Sequence, residues 1–300
     1  MELSIVIVNW NTRECLKRCL ASIYEYTSGL DFEVIVADNN SSDGSRDMAG
    51  KDFPYVNLIA NAENYGFSKA NNIAIRQAKG GYILILNPDT EIRNNAFGKM
   101  VSFLEQNKDV GILAPKLIFP DGSLQESVVP GFSLLGFLAN EFFPGLPFSF
   151  NLKKVNKMRL VANPTAACLL IRKEVFEKIG LFDEDFFVCY EDVEFTERAS
   201  KKKIKALFFP EAEVVHYKSQ SSKRDYLFSL SCEEKSIFVL IKKYYGRFGI
   251  CVLFLSACFQ LVSAYIFMPI SYFLFKRPRD ISYFKLLART RWSQFTGCEV

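Results

Sequence analysis

The first 110 residues alternate short apolar runs with helical patterns, and this alternation restricts the possible folds more than any other feature of the chain. The apolar runs are rich in Ile, Val and Leu and have the length of strands. Strands that helices cover on both faces read as near-continuous apolar runs, so the pattern predicts βαβ units and a parallel sheet. Strands are predicted at 3–8, 32–37, 56–60 and 82–86, and helices near 13–26, after Ser42, near 67–79 and near 94–107.

The sequence after Gly111 loses this regular alternation. Two strands are predicted around an Asp121-Gly122 turn, and the run "ACLLIR" predicts a strand that leads into a helix ending at Gly180. A helix at "YEDVEF" and strands at "KALFF" and "AEVVHY" follow. The stretch 129–150 has no clear period and is long for a connection inside a compact domain. It predicts either a binding loop or a segment in contact with a membrane.

The C-terminal region contains a stretch, 250–275, that has no charged side chain. It is longer than the roughly 20 apolar residues that cross a bilayer. Basic residues flank the stretch on both sides, which opposes the export of either end. A helix that breaks near Pro269 and returns to the same leaflet agrees with both observations better than a simple span does. The alternative is a buried core helix, although such helices seldom run so long without a polar face.

Composition and charge remove several classes of protein. The net charge is only +4, and the basic residues are scattered outside Lys201–Lys203 and the C-terminal segment, so no nucleic-acid partner is expected. No basic residue precedes the first apolar run, so we expect no signal peptide and a cytoplasmic location for the bulk of the chain. The eight cysteines form no CxxC pair, which predicts buried free thiols in a reducing compartment. A nicotinamide oxidoreductase is disfavoured because no GxGxxG follows the first strand.

Polar clusters follow the first four predicted strands, at the points where the strands end. Because the carboxyl ends of parallel strands meet at one edge of a sheet, where α/β proteins bind ligands, we expect these clusters to form one site. Asp38 could accept hydrogen bonds from a nucleobase imide or from ribose hydroxyls. The clusters are "VNWNT" (8–12), "ADNNSSDGS" (37–45), "NAENYGFSKANN" (61–72) and "LNPDT" (86–90).

With "NPDT", "YEDVEF" and "EVVHY" in this order, the sequence resembles the family 2 glycosyltransferases, which have the GT-A fold, and among them the rhamnosyltransferase-like members. The resemblance covers residues 3–220. It implies an α/β fold with a doubly wound, mostly parallel sheet. The Rossmann-like half of this fold, residues 1–110, would bind a nucleotide sugar. An acceptor and catalytic half, 111–225, would complete the GT-A domain of residues 1–225. Residues 226–300 would form a helical, membrane-associated region.

The resemblance implies a role in donor binding for several of the polar side chains. Asp38 would contact uracil or thymine, and Asn9 and Asn11 would line the same pocket. Asn64 would lie near the sugar nucleotide, at a helix N-terminus that suits a phosphate. The alternative for Asp38 is that it only begins the turn "DNNSSDG".

The resemblance also implies a divalent metal cofactor, Mg²⁺ or Mn²⁺. A hard cation held by one or two carboxylates neutralises the diphosphate as the glycosidic bond breaks. Asp89 is the expected carboxylate ligand, and it would also contact the donor. Asn87 replaces the first acid of the family's Asp-x-Asp motif, which predicts weaker metal binding or a further ligand. His216, the chain's single histidine, is the candidate for that ligand, although a histidine at a strand end can also be purely structural.

Glu191 and Asp192 are the catalytic candidates. An inverting transfer needs a carboxylate that takes the proton of the acceptor hydroxyl. Asp192 is the predicted base, and Glu191 would orient the acceptor or raise the pKa of the base through the proximity of like charges. The alternative is that Glu191, Asp192 and Glu194 only complement a helix dipole as acids of a first turn.

Together with the resemblance, these residues predict an inverting glycosyltransferase, more closely a hexosyltransferase. It would move a sugar, with rhamnose as the first guess, from a UDP- or dTDP-sugar to a lipid-linked or polysaccharide acceptor. The apolar C-terminal segment favours action at the cytoplasmic face of the cell membrane, in cell-envelope polysaccharide biosynthesis. A non-catalytic, membrane-attached binding or scaffold protein is one alternative, and Asn87 favours it. A nucleotidyltransferase is another, but it would need a glycine-rich basic loop after the first strand. Ala166, where relatives commonly carry glycine, leaves the donor sugar open.

Overall fold

The computed structural model describes residues 1–129, 131–142, 157–217 and 226–275, and their side chains except those of 140–142, 226–227 and 260–275. The chain divides into two compact units. The first unit consists of Met1–Phe132, Phe150–Phe187 and Glu191–Arg224, and the second of Ser133–Ser149, Val188–Tyr190 and Asp225–Val300.

The first unit is an α/β structure in which strands and helices alternate up to residue 106, except that β5 follows β4 directly. Its strands are β1 (Leu3–Asn9), β2 (Phe32–Asp38), β3 (Asn57–Ala60), β4 (Tyr82–Leu86), β5 (Thr90–Ile92), β6 (Val110–Ile118), β7 (Val128–Val129), β8 (Arg159–Leu160), β9 (Asn163–Pro164), β10 (Cys168–Arg172) and β11 (Lys205–His216). Its helices are α1 (Arg13–Tyr26), α2 (Ser45–Asp52), α3 (Gly66–Gln77), α4 (Ala96–Gln106), α6 (Lys173–Ile179) and α7 (Glu191–Lys201), and α5 belongs to the second unit.

The main sheet has the strand order β3-β2-β1-β4-β10-β6-β11-β5, and β8 pairs with β11. Strands β1 to β4 are parallel, β10 runs antiparallel to both β4 and β6, and β11 is parallel to β6. The carboxyl ends of β1, β2, β4, β6 and β11 therefore lie at one edge of the sheet, together with the amino end of β10. This mixed, mostly parallel α/β sheet confirms the predicted fold class.

Helices cover both faces of this sheet, which explains the near-continuous apolar strands. Leu3 and Ile5 of β1 belong to a buried cluster with α1, α2 and α4, whereas Val6 belongs to a second buried cluster with α3, α6 and α7. Successive strand residues point to opposite faces, so a strand that is covered twice must be apolar at every position.

Two strand predictions need correction. The runs "KALFF" and "AEVVHY" form one strand, β11, whose register against β6 shifts between Phe209 and Glu213. Pro210 lies in this irregular stretch, where a residue without an N–H is tolerated. The second strand predicted after the Asp121-Gly122 turn is reduced to an isolated bridge between Ile118 and Leu124.

The second unit is helical where it is described. Helix α5 (Leu134–Phe142) lies in the stretch for which no regular structure was predicted. Helix α8 (Tyr226–Phe275) departs from helical geometry at Gly246, and not near Pro269 where a break was predicted. Among the described residues, no helix combines the length and the apolar character that crossing a bilayer requires. The side chains of 260–275, most of the predicted apolar segment, lie outside the described residues.

Among the described residues, Cys19, Cys168, Cys232, Cys251 and Cys258 are free thiols, as predicted. Cys19, Cys168 and Cys232 are buried, but Cys15, Cys189 and Cys258 are only partly buried and Cys251 is exposed, so the prediction of burial is wrong for these four. Burial raises the pKa of Cys19 to about 12. A thiol with this pKa stays protonated near neutral pH and is a poor nucleophile.

The loop before α7 packs against the start of α3. The Asn72 side chain accepts a hydrogen bond from the Phe182 N–H (3.0 Å) and donates one to the Phe182 carbonyl (2.8 Å). The Phe67 N–H donates to the Phe187 carbonyl (2.6 Å). Gly66 has φ +75°, and a Cβ added to it would overlap the Phe187 carbonyl oxygen. Glycine is therefore required twice at this position, by its backbone conformation and by the close approach of the loop.

The substitution Gly66→Ala should lower the free energy of unfolding by about 1–3 kcal/mol more than Gly122→Ala does, because only Gly66 contacts another backbone segment. Gly122 is the matched control, since its φ is +82° and a Cβ added there would have no atom within 4 Å. Both variants place an alanine in a left-handed conformation, which destabilises each of them similarly. The difference between their free energies of unfolding therefore isolates the Phe187 contact. Urea denaturation of the two variants measures it, and equal losses would refute the close packing of this loop.

Candidate active site

The carboxyl ends of β1 and β2 hold a buried carboxylate. Asp38 is 1% exposed, and its side chain accepts hydrogen bonds from Asn9 Nδ2 (2.8 Å), from the Ser41 N–H (2.8 Å) and from Arg46 Nε (2.7 Å). Asn9 and Asp38 are also partners in the register of the two strands. The parallel pairing of β1 and β2 thus brings together two residues that are 29 positions apart in the sequence.

Asn9 and Asn11 both hold the loop that follows β2. The buried Asn9 side chain accepts a hydrogen bond from Thr12 Oγ1 (2.7 Å) in addition to its bond to Asp38. Asn11 has a left-handed backbone, φ 53°, and its Oδ1 accepts a hydrogen bond from the Ser42 N–H (2.8 Å). Through these hydrogen bonds, both predicted pocket residues stabilise the loop that follows Asp38.

Asn64 lies at the start of α3 within a group of amide side chains. Its Oδ1 accepts hydrogen bonds from Asn39 Nδ2 (3.1 Å) and from the Gly66 N–H (3.0 Å). Asn39 is buried and also accepts a hydrogen bond from Asn61 Nδ2 (2.8 Å). Asn39 was not among the predicted site residues, although its position directly after Asp38 was a usable signal. Asn39 connects the loop after β2 to the start of α3.

Asp89 and His216 form a buried pair. Asp89 Oδ1 lies 3.3 Å from His216 Nε2, and the two side chains are 9% and 10% exposed. Strand β5, which was not predicted, produces this contact because Thr90 pairs with His216 in the antiparallel register of β5 and β11. The Tyr217 N–H also donates to the Asp89 carbonyl (2.9 Å). The structure therefore brings together the two residues that were predicted as metal ligands.

The Asp89 and His216 side chains fit a divalent cation. Two ligands that are each about 2.1 Å from one cation and at right angles to each other lie about 3.0 Å apart, close to the spacing of this pair. No group of three or more His, Cys, Asp and Glu side chains that could hold a metal occurs in the part of the chain that the structure describes. A cation here would therefore take further ligands from a bound diphosphate and from water, as Mg²⁺ commonly does.

Glu191 and Asp192 begin α7. Burial, followed by the neighbouring Asp192 charge, raises the pKa of Glu191 to about 8. Glu191 Oε2 is buried and has no hydrogen-bond partner among the described residues. Asp192 is half-buried, and its two oxygens accept hydrogen bonds from the Ala166 N–H (3.0 Å) and the Val193 N–H (2.8 Å). Burial also raises the pKa of Asp192.

The segment before β10 connects Asp192 to the β4 end of the sheet. The Asn87 N–H donates to the Ala167 carbonyl (2.9 Å), and the adjacent Ala166 N–H donates to Asp192. The turn that carries Asp89 and the start of α7 are thus each bonded to one of two adjacent alanines. The predicted donor-binding residues at the ends of β1 and β2, the pair of Asp89 and His216, and Asp192 therefore all lie at one edge of the sheet.

The α/β sheet with acids and amides at one edge agrees with the predicted GT-A fold, which solved glycosyltransferases share. The model of glycosyl transferase family 2 matches residues 4–180, more than half of the chain, and the chain belongs to this family. The predicted identification as a rhamnosyltransferase-like family 2 glycosyltransferase is confirmed. The chain is therefore an enzyme, and the scaffold alternative is set aside.

Relatives with this fold include named rhamnosyltransferases. The chain is 28% identical over 257 residues to the N-acetylglucosaminyl-diphospho-decaprenol L-rhamnosyltransferase of Mycobacterium tuberculosis, which covers 80% of this chain and 83% of the relative. It is 28% identical over 214 residues to the dTDP-rhamnosyl transferase RfbF of Shigella flexneri, with 70% and 67% covered. The mannosyltransferase PcManGT of Pyrobaculum calidifontis, solved with GDP-Man and Mn²⁺, shares the fold at a TM-score of 0.60 and 16% identity, with 98% and 86% covered.

The buried Glu191 carboxyl should make the protein less stable as the pH rises. Its pKa is raised from the usual 4.5 to about 8, so the folded state binds more protons than the unfolded state between these values. The free energy of unfolding therefore falls as the pH rises through this window. Glu191→Gln, which mimics the protonated carboxyl, should reduce the fall but not remove it, because Asp192 contributes in the same direction.

Urea denaturation between about pH 5 and about pH 9 tests this expectation. Glu105→Gln is the control, since Glu105 is an exposed acid on α4 and the variant removes one charge without changing a buried carboxyl group. An identical pH dependence in the wild type and in Glu191→Gln would contradict the burial of this carboxyl.

Proposed function

We propose that the enzyme is an inverting glycosyltransferase that moves a sugar, rhamnose in the first instance, from a UDP- or dTDP-sugar to a lipid-linked or polysaccharide acceptor. The arrangement of Asp89, His216 and Asp192 at one edge of the sheet carries the proposal, because it supplies both a site for a metal-bound diphosphate and a base. The relatives named as rhamnosyltransferases, one of them a dTDP-rhamnosyl transferase, support the choice of sugar and nucleotide.

Asp38 would recognise the pyrimidine base of the donor. A carboxylate has about four acceptor positions, and the described hydrogen bonds use three of those on Asp38. The remaining position can accept the imide N–H of uracil or thymine or a ribose hydroxyl. Arg46 holds the carboxylate in place, since its Nε lies 2.7 Å from Asp38 Oδ1. A carboxylate oxygen accepts hydrogen bonds, so it favours a base that presents an N–H.

Asp89 and His216 would hold a Mg²⁺ or Mn²⁺ ion. When bound, such an ion neutralises the charge that develops on the diphosphate as the glycosidic bond breaks. With Asn87 in place of a second acid, Asp89 provides the carboxylate and His216 provides a neutral nitrogen ligand. The Mn²⁺ in the solved structure of the Pyrobaculum mannosyltransferase supports a metal in this role.

Asp192 would act as the base that accepts the proton of the acceptor hydroxyl. Its hydrogen bonds to two backbone N–H groups fix the direction of the carboxylate, and its raised pKa makes it a stronger base than an exposed aspartate. Glu191, with its pKa of about 8, is largely protonated near neutral pH and so leaves Asp192 to carry the charge.

The second unit would attach the enzyme to the cytoplasmic face of the membrane, where lipid-linked acceptors lie. Phe248, Leu255 and Phe259 of α8 are exposed by 71%, 65% and 62%, and their spacing of seven and four residues places them on one side of the helix. Exposed basic residues precede this apolar stripe. They are Lys242, Lys243 and Arg247. An apolar helix side next to basic residues is typical of segments that bind the surface of anionic membranes.

A panel of UDP-, dTDP- and GDP-sugars with Mg²⁺ or Mn²⁺ tests the proposed reaction, with dTDP-rhamnose expected to bind and react. Asp192→Asn should keep donor binding and lower turnover by roughly 10²–10⁴-fold, because it removes the base. Asp89→Ala should weaken metal-dependent donor binding. Asp185→Asn, which alters an exposed acid in the preceding turn, should change neither quantity. The proposal fails if no nucleotide sugar binds with either metal.

Co-sedimentation with vesicles of phosphatidylglycerol and phosphatidylcholine tests the membrane contact. The double variant Leu255→Glu and Phe259→Glu should reduce vesicle binding by about tenfold or more, because it removes apolar contact area and adds repulsion. The double variant Ser102→Glu and Gln106→Glu on α4 adds the same charge at exposed positions with the same spacing and should bind almost as the wild type does. Equal losses in the two variants would show that charge alone, and not the apolar stripe, is responsible.

A further inference from the structure

We propose that Gln125 is a positioning residue that fixes the proton of neutral His216 on Nδ1, so that the Nε2 lone pair faces Asp89. This inference rests on the proposed function, in which His216 Nε2 binds a metal. The contacts of Gln125 carry it, and they can be examined in the protein without any ligand.

Gln125 contacts His216 at two points. Gln125 is 3% exposed, its Nε2 donates to the His216 carbonyl (3.2 Å), and its Oε1 lies 2.6 Å from His216 Nδ1. The backbone of Gln125 is held in turn, because its N–H donates to the Leu117 carbonyl (2.9 Å) at the end of β6. The side chain therefore reaches His216 from a backbone position that is bonded to β6, the strand that pairs with β11.

The two contacts together determine which ring nitrogen carries the proton. A backbone carbonyl only accepts hydrogen bonds, so the amide NH₂ of Gln125 must face the His216 carbonyl. The amide oxygen then faces Nδ1 and can only accept, so Nδ1 must be the donor. In neutral His216 the proton therefore lies on Nδ1, and Nε2 carries the lone pair.

In this tautomer, His216 cannot donate a hydrogen bond from Nε2 to Asp89. Nε2 lies 3.3 Å from Asp89 Oδ1, and without a proton on Nε2 both atoms are acceptors. In this tautomer, Asp89 Oδ1 and His216 Nε2 would both be available to hold a divalent cation between them. If Gln125 were absent, the ring could place its proton on Nε2 and donate it to Asp89, and Nε2 would no longer be available as a ligand.

The single histidine of the chain allows a direct test, because the ¹⁵N spectrum of histidine-labelled protein then contains the two ring nitrogens of one residue. We would record it without metal at about pH 9, where an ordinary histidine, with a pKa of about 6.5, is neutral. The wild type should show the proton on Nδ1. Gln125→Met, which keeps the volume but removes the acceptor, should shift the proton to Nε2.

Two further variants separate positioning from a general effect on folding. Gln125→Glu keeps an oxygen that accepts the Nδ1 proton and should retain the wild-type tautomer. Ser123→Ala, a substitution at an exposed position of the turn that precedes Gln125, should leave the spectrum unchanged. A proton on Nε2 or on both nitrogens of the wild type would overturn the proposal, and so would a wild-type spectrum in Gln125→Met.

Mn²⁺ binding, followed by the electron paramagnetic resonance signal of the free ion, connects the tautomer to the proposed function. Gln125→Met should bind Mn²⁺ about 10–100-fold more weakly than the wild type, the usual effect of removing a residue that orients a ligating histidine. If the wild type shows the Nδ1 proton but binds no Mn²⁺, the positioning role stands and the metal role in the proposed function fails. If Mn²⁺ binds equally to both proteins, Gln125 does not control the ligand and the proposal is wrong.

Discussion

Strand β10 pairs antiparallel with both β4 and β6, and this pairing joins the two groups of parallel strands into one sheet. Every residue of β10 is buried, and its reversed direction brings its amino end to the edge where the parallel strands finish. The segment before it binds the Asn87 N–H on one side and Asp192 on the other. At its far end the buried Arg172 donates to backbone carbonyls at the end of α4, including that of Asn107 (3.2 Å). One strand therefore supports the active-site edge and closes the opposite end of the sheet.

The acids at the active-site edge differ in environment, and the differences match the roles proposed for them. Asp38 is held in place by Arg46 and by backbone and amide donors. Burial acts against ionisation at Glu191 and Asp192 and raises the pKa of both carboxyl groups. Asp89 faces His216 at 3.3 Å. The four carboxyl groups at this edge thus have different surroundings, which suit the proposed base recognition, diphosphate binding and proton transfer.

The replacement of an acid by Asn87 leaves the backbone of the turn that presents Asp89 intact. The Asn87 N–H binds the Ala167 carbonyl, and the Asn87 carbonyl accepts a hydrogen bond from Thr90 Oγ1 (2.7 Å). Both contacts use the backbone, so they do not depend on the side chain at this position. A side chain other than an acid at this position therefore leaves the local fold unchanged, and the proposed metal site then relies on Asp89, on His216 and on the Gln125 contact with His216.

The parallel strands, and the edge where their carboxyl ends meet, could be predicted from local patterns, because burial on both faces demands unbroken apolar runs that polar residues must end. The order of the motifs also pointed to Asp38, Asp89, Asp192 and His216. Strand β5, the single long strand β11 and the contacts of Asn39 and Gln125 became visible only in the folded chain. These depend on pairing between residues far apart in the chain, as with Gln125 and His216, 91 positions apart, and no local pattern of polarity encodes such a pairing.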